Sequence, residues 1–132
     1  MLKIFMSPSC TSCRKARQWL IDHEIPYIER NTVRQKVNAD ELREILMMTE
    51  NGTEDIISKR SNAYSLIKDR MDDMSVGELI ATIEEYPTLL RRPIMIDDKR
   101  LQVGYNEDEI RVFLPRKIRR ASLQKAQYAS AL

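Results

Sequence analysis

Two cysteines stand three positions apart, Cys10 and Cys13, and the 132-residue chain has no others. A pair at that spacing can close one small disulfide ring, so the chemistry open to it is thiol–disulfide exchange, metal ligation or none. Structural zinc takes about four nitrogen or sulfur ligands. Beyond the cysteines the chain offers a single histidine, His23, so zinc is the poorer reading and no metal or cofactor is expected. Packed, idle thiols are the plain alternative to a redox pair. A thiolate at the N-terminal end of a helix is stabilised by free amide N–H groups and the positive end of the helix dipole. With a helix opening there, Cys10 is the more reactive sulfur, Arg14 and Lys15 add positive charge within one turn, and Cys13 is the resolving thiol. A second constellation is Arg91-Arg92-Pro93. An arginine at that turn can hold an anion or a thiolate through charge-assisted hydrogen bonds. A solvated arginine pair beside an ordinary proline fits the same residues.

The surrounding pattern says which elements must hold the cysteines. Leu2 to Met6 is a short apolar run bounded by Ser7-Pro8, which reads as a buried first strand. Ala16, Trp19, Leu20 and His23 then recur at helical spacing, so the cysteines fall at a helix N-terminus, and Tyr27 to Arg30 reads as a second, parallel strand. The middle is helical. Asn38 with Glu41 makes a capping-box pattern ahead of Leu42, Ile45 and Leu46, a face that runs to Asn51-Gly52. A short helix after Thr53 would carry Ile56 and Ile57, Ser61 would cap another through Tyr64 and Ile67, and Ser75 with Glu78 would open a helix stopped by Pro87. Ile94–Ile96 and Leu101–Val103 flank a turn as a hairpin, and Asn106 with Glu109 would cap a last helix ended by Pro115. The order βαβ, helical block, ββα predicts one α/β domain with a thioredoxin-like mixed four-stranded sheet. Residues 1–30 and 91–114 would supply its core, 31–90 a helical insertion and 115–132 a basic tail.

Composition narrows the setting. One domain suits this length, and 42% apolar residues can fill its core. No run suggests a signal peptide or membrane span, which points to the cytoplasm, where a close cysteine pair is more often functional than structural. The net charge of +2 conceals an asymmetry: Glu109 is the last acidic residue, leaving about −4 on residues 1–109 and about +6 beyond. Such a tail can meet an acidic surface, or simply be solvated.

Four stretches carry a family resemblance: Ser7-Pro8-Ser9-Cys10-Thr11-Ser12-Cys13-Arg14-Lys15-Ala16, the run from Asn51 to Ile57, the run from Leu89 to Ile94, and Lys99 to Ile110. From the first strand to about Arg116 the chain resembles the Spx family of redox-responsive transcriptional regulators from low-GC Gram-positive bacteria, within the wider superfamily of glutaredoxin-type arsenate reductases. The resemblance implies transcription control through the C-terminal domain of the RNA polymerase α subunit, with promoter DNA met only as part of the polymerase complex. It implies that Cys10 and Cys13 form a switch disulfide which, once closed, activates thiol-stress genes, and that binding also blocks some activators. Gly52 would lie where the α subunit docks, Arg60 would support promoter engagement, and Arg92 would respond to the oxidation state. It further implies turnover by the ClpXP protease through the C-terminus, here Ala129-Ser130-Ala131-Leu132.

Each transfer has a physical counterpart. Glycine lets another backbone approach closely, although Asn51-Gly52 would equally serve as a helix C-cap. Arg60 with Lys59 can face polymerase or phosphate, or merely solvent. The competing function is that of an arsenate reductase-like thiol oxidoreductase, with Cys10 as nucleophile and Arg92 holding the oxyanion. Cys13 argues against it, since a neighbouring thiol would capture the reactive intermediate, so the chain is expected not to be an enzyme.

Overall fold

Strand β1 (Leu2–Met6) alternates its side chains between two apolar surroundings, as the two-residue period of a strand requires. The computed structural model, which describes residues 1–115, places it inside the sheet. β1 runs parallel to β2 (Tyr27–Asn31) and antiparallel to β3 (Ile94–Ile96), which pairs antiparallel with β4 (Leu101–Val103), giving the order β2-β1-β3-β4. This is the expected mixed four-stranded sheet.

The register sorts the core into two layers. Leu2, Ile4 and Met6, with Met95 opposite Ile4, pack on Cys13, Ala16 and Leu20 of helix α1 (Thr11–Asp22) and on Ile110 and Phe113. Phe5, Ile94 and Ile96 turn to the other face, where they meet α2 (Ala39–Met47), α3 (Asn62–Ile67) and α4 (Val76–Glu85) through Leu42, Ile45, Ala63, Ile67, Leu79, Ile80 and Ile83. The helical block thus covers one face and α1 the other. Its helices start where side chains replace missing amide partners. Asn38 and Glu41 make a reciprocal capping box, and the Ser61 and Ser75 hydroxyls accept from Ala63 and Glu78. Glu41 also binds Arg30 of β2 at 2.6 Å, and the Arg30 guanidinium lies 5.6 Å from the centre of the Phe5 ring, so one cap ties α2 to the sheet.

Several local expectations are corrected. The last helix is a short 3-10 helix, Glu109–Phe113, because Leu114 and then Pro115 end it and the Glu109 carboxylate accepts from Gln102 instead of folding back on Asn106. The Asn106 side chain still accepts from the Glu109 amide. The helix expected after Thr53 is another 3-10 turn, Gly52–Asp55, which ends before Ile56 and Ile57; Ile57 instead bridges Leu90. α2 stops at Met47 with Met48 as its cap, so Gly52 is not the cap of that helix. His23 forms the C-cap of α1, its Nδ1 donating to the Trp19 carbonyl at 2.8 Å and its ring stacked on Trp19. The basic tail, apart from Pro115, and the C-terminal residues fall outside the described residues. Among those described, no helix is long and apolar enough to cross a membrane, and no cluster of three or more histidine, cysteine or carboxylate side chains could hold a metal.

Candidate functional site

The cysteine loop is built where β1 leaves the sheet. Ser7, buried at the strand end, accepts from the Cys10 amide at 3.1 Å, and its hydroxyl lies 3.0 Å from that of Ser9. This turn sets Cys10 as the N-cap of α1, with extended backbone (φ −85°, ψ 122°) and its sulfur accepting from the Cys13 amide at 3.4 Å. Sulfur here does the work that a serine or aspartate oxygen does at other helix starts. The expectation that the pair opens a helix holds. Both cysteines are free thiols in this structure; Cys10 is part-exposed and Cys13 is 0% exposed.

Electrostatics separate the two sulfurs. Burial works to raise the Cys10 thiol, but hydrogen bonds from the Cys13 side chain and amide, the positive charge of Arg92 and the Ser12 amide together hold it below its ordinary value. Burial pushes the Cys13 thiol up to about 12, helped by its hydrogen bond to Cys10 and by the Cys10 charge, against the lowering effects of the Ser7 amide and Arg92. The loop therefore favours the charged form of Cys10 and the protonated form of Cys13. The cation acting on Cys10 is Arg92, not the nearby Arg14 and Lys15, which are exposed; Arg14 donates to the Thr11 hydroxyl at 3.4 Å.

Arg92 reaches the loop because β3 lies beside β1 and the Arg92–Pro93 peptide, which is cis, enters that strand. An open cleft of about 730 Å3 runs along this end of the sheet, lined among others by Ser12, Arg60, Arg91, Arg92 and Tyr105, with Lys59 paired to Glu54 at 3.5 Å and Glu109 at its edge. Arg60 and Arg92 therefore share one basic groove beside the cysteine helix. The link is the antiparallel bridge of Ile57 with Leu90, reinforced by Ser58 N–H donating to Leu89 O at 2.7 Å and Arg91 N–H to Ile56 O at 2.8 Å. Sequence reasoning missed this union, along with Tyr105 and Gly104. Gly104, at φ +82°, turns the chain just past β4; its position directly after the apolar Leu101–Val103 strand was the one available signal.

Gly52 stands apart from this cleft. It has φ +72°, and a Cβ built on it would meet nothing within 4 Å. It borders a shallow apolar depression with Arg43, Leu46, Met47, Thr53 and Val76, where Met47 is 86% exposed. Among the described residues, the basic groove beside the cysteine helix and the apolar surface around Gly52 are therefore separate.

Comparison with known proteins agrees with this architecture. Residues 5–113 match the ArsC family. The global transcriptional regulator Spx of Enterococcus faecalis is 54% identical over the full length of both chains. The Spx regulators of Bacillus subtilis and Staphylococcus aureus strain N315 are each 55% identical, with 96% of this chain and 97% of theirs covered. Solved structures of similar fold include an ArsC family related protein from Bacteroides fragilis (22% identity, TM-score 0.75, 85% of this chain and 96% of the other) and an arsenate reductase from Vibrio cholerae (19%, TM-score 0.73, 86% and 97%). The relatives of high identity are named as regulators rather than enzymes. The chain belongs to the ArsC family and, within it, to the Spx transcriptional regulators.

Proposed function

We propose that this regulator works from the cytoplasm as a thiol switch on RNA polymerase, docking on the C-terminal domain of the polymerase α subunit through the surface around Gly52 and reporting oxidation through a Cys10–Cys13 disulfide. The observation that carries the reading is the asymmetry of the pair: a thiol held low at a helix N-cap, where its sulfur accepts from the Cys13 amide at 3.4 Å, beside a buried thiol that burial pushes up. With peroxide as oxidant the chemistry balances. The Cys10 thiolate attacks one peroxide oxygen, breaking the O–O bond; the sulfur becomes a sulfenic acid and the departing hydroxide takes a proton to leave as water. Cys13 then attacks the Cys10 sulfur, its proton leaves with the sulfenic hydroxyl as a second water, and a dithiol reductant reverses the result.

Closing the disulfide removes negative charge beside Arg92, which becomes free for another partner in the groove it shares with Arg60. Promoter engagement is assigned to that groove, and blocking of other activators to occupation of the α-subunit surface. Turnover by ClpXP is assigned to the C-terminus, outside the described residues. The second reading, an arsenate reductase-like oxidoreductase, draws on the low Cys10 thiol and the positive charge of Arg92 that acts on it. One preparation separates the two: the full-length protein is expected to retain the purified α C-terminal domain in a pull-down and to show no arsenate reduction with a thiol reductant. Arsenate turnover without retention of that domain would reverse the assignment.

A further inference from the structure

The two adjacent arginines serve different neighbours. Arg92 acts on the Cys10 sulfur, whereas the Arg91 guanidinium donates through Nη1 to the Asp55 carbonyl at 3.2 Å. The Arg91 amide takes the next carbonyl, that of Ile56. Residue 91 therefore holds both carbonyls at the C-terminal end of the Gly52–Asp55 turn, a place where helical carbonyls lack partners of their own. Asp55 carries the connection onward: its carboxylate accepts from the Asn51 amide at 2.9 Å and from the Asn51 side-chain amide at 3.3 Å. The residue before Gly52 is thus tied to Asp55, and Asp55 to Arg91.

The opposite side of the guanidinium is fitted too. Arg91 Nη2 lies 3.3 Å from where a Cβ on Gly104 would stand, so the missing side chain of Gly104 leaves it room. The Gly104 amide donates to the Pro93 carbonyl at 2.8 Å, which fixes that glycine against the same segment. Gly52 itself is at φ +72°, with no side chain to anchor it. Its placement depends on its flanks.

We propose that Arg91 is a positioning residue for the partner-docking surface: through Asp55 and Asn51 it holds the Gly52 turn in the conformation that the α-subunit domain meets. This rests on the assignment of Gly52 to that interface. It also gives Arg91 a role separate from that of its neighbour Arg92.

The test titrates the α C-terminal domain into full-length protein by calorimetry and follows backbone amide hydrogen exchange in the free protein. Arg91→Ala is expected to weaken binding about fivefold, the size of one hydrogen bond to a carbonyl. It should also speed exchange at Asn51 through Asp55 while α2 and α4 keep their protection. Arg91→Lys, which restores one donor, should recover part of the affinity. Unchanged affinity in Arg91→Ala, a lysine variant as weak as the alanine one, or faster exchange throughout the helical block would each overturn the proposal. Gly52→Arg in the same titration separates the underlying assignment: if it binds like the wild type, the docking of the α domain at Gly52 is itself wrong and the role of Arg91 in docking falls with it. If Gly52→Arg loses binding while Arg91→Ala does not, only the role of Arg91 is lost.

Discussion

At the scale of single residues, two sulfurs of identical chemistry differ because one sits on amide donors and the other under the sheet. Cys10 gains stabilisation as a thiolate from the Cys13 and Ser12 amides and from Arg92, whereas burial keeps the proton on Cys13. At neutral pH, iodoacetamide is therefore expected to modify Cys10 well before Cys13, as peptide mapping would show. The rate at Cys10 should rise with pH through a midpoint below the ordinary thiol value, because only the deprotonated form reacts. Arg92→Ala removes one source of lowering, so its midpoint should move up and its rate at neutral pH fall. Arg92→Lys should lie between, keeping the charge but losing the planar fork. Equal rates at the two cysteines, or a midpoint that ignores Arg92, would contradict this account.

At the scale of elements, the informative contact is the cap that does two jobs. Glu41 closes the capping box of α2 and pairs with Arg30 of β2, both side chains about 15% exposed. The hydrogen bond from Arg30 holds the Glu41 carboxyl below its ordinary value, against the raising effect of burial. A depressed carboxyl contributes stability that is fully present above its unfolded value, about 4.3, and is lost as pH falls through the folded value. Glu41→Ala should therefore cost about 2–3 kcal/mol in urea unfolding at pH 7, combining a lost cap with an unpaired Arg30. The gap from wild type should narrow as the solution is acidified below that range. The Gly52 turn behaves differently. At φ +72° any L-residue is strained, so Gly52→Ala should destabilise by about 1 kcal/mol. With open space around the new Cβ, however, the helical block should keep its circular dichroism. Gly52→Arg should fold in the same way and lose α-subunit binding in calorimetry, since its bulk meets only the incoming partner.

At the scale of the whole molecule, the chain presents two surfaces on one folded body: the apolar depression at Gly52 and the basic groove beside the cysteines. The Gly52–Asp55 turn touches both, with Gly52 on the depression and Glu54 on the groove. Loss of the Arg92 side chain from the groove should leave the docking surface working. In transcription reactions with oxidised protein, Arg92→Ala is expected to activate thiol-stress promoters poorly while binding the α-subunit domain as well as wild type does. Gly52→Arg should lose both. An Arg92→Ala protein that activates normally, or that loses α-subunit affinity to the same degree as Gly52→Arg, would remove the groove from the mechanism.

Much of this was legible in the order of residues, because the rules involved act over a few positions. The apolar run Leu2–Met6, the side-chain caps at Asn38, Ser61 and Ser75, the breaks at Pro87 and Pro115, and the Cys10–Cys13 spacing ahead of an amphipathic run all declare themselves locally. The sequence by itself determined the sheet, the caps and the position of the reactive pair. Other features depended on which distant segments the packed core brings together. Arg14 and Lys15 are nearer to Cys10 in sequence, yet the sheet register delivers the effective charge from Arg92. Arg60 joins the same groove only because Ile57 bridges Leu90, and the hold of Arg91 on Asp55 spans 36 positions. The two short helices shrank to 3-10 turns because Pro115 leaves no room for another turn and because Ile56 and Ile57 are drawn into the core. Only tertiary structure decides such pairings, since they are set by burial and register across the sheet and not by the propensities of the residues concerned.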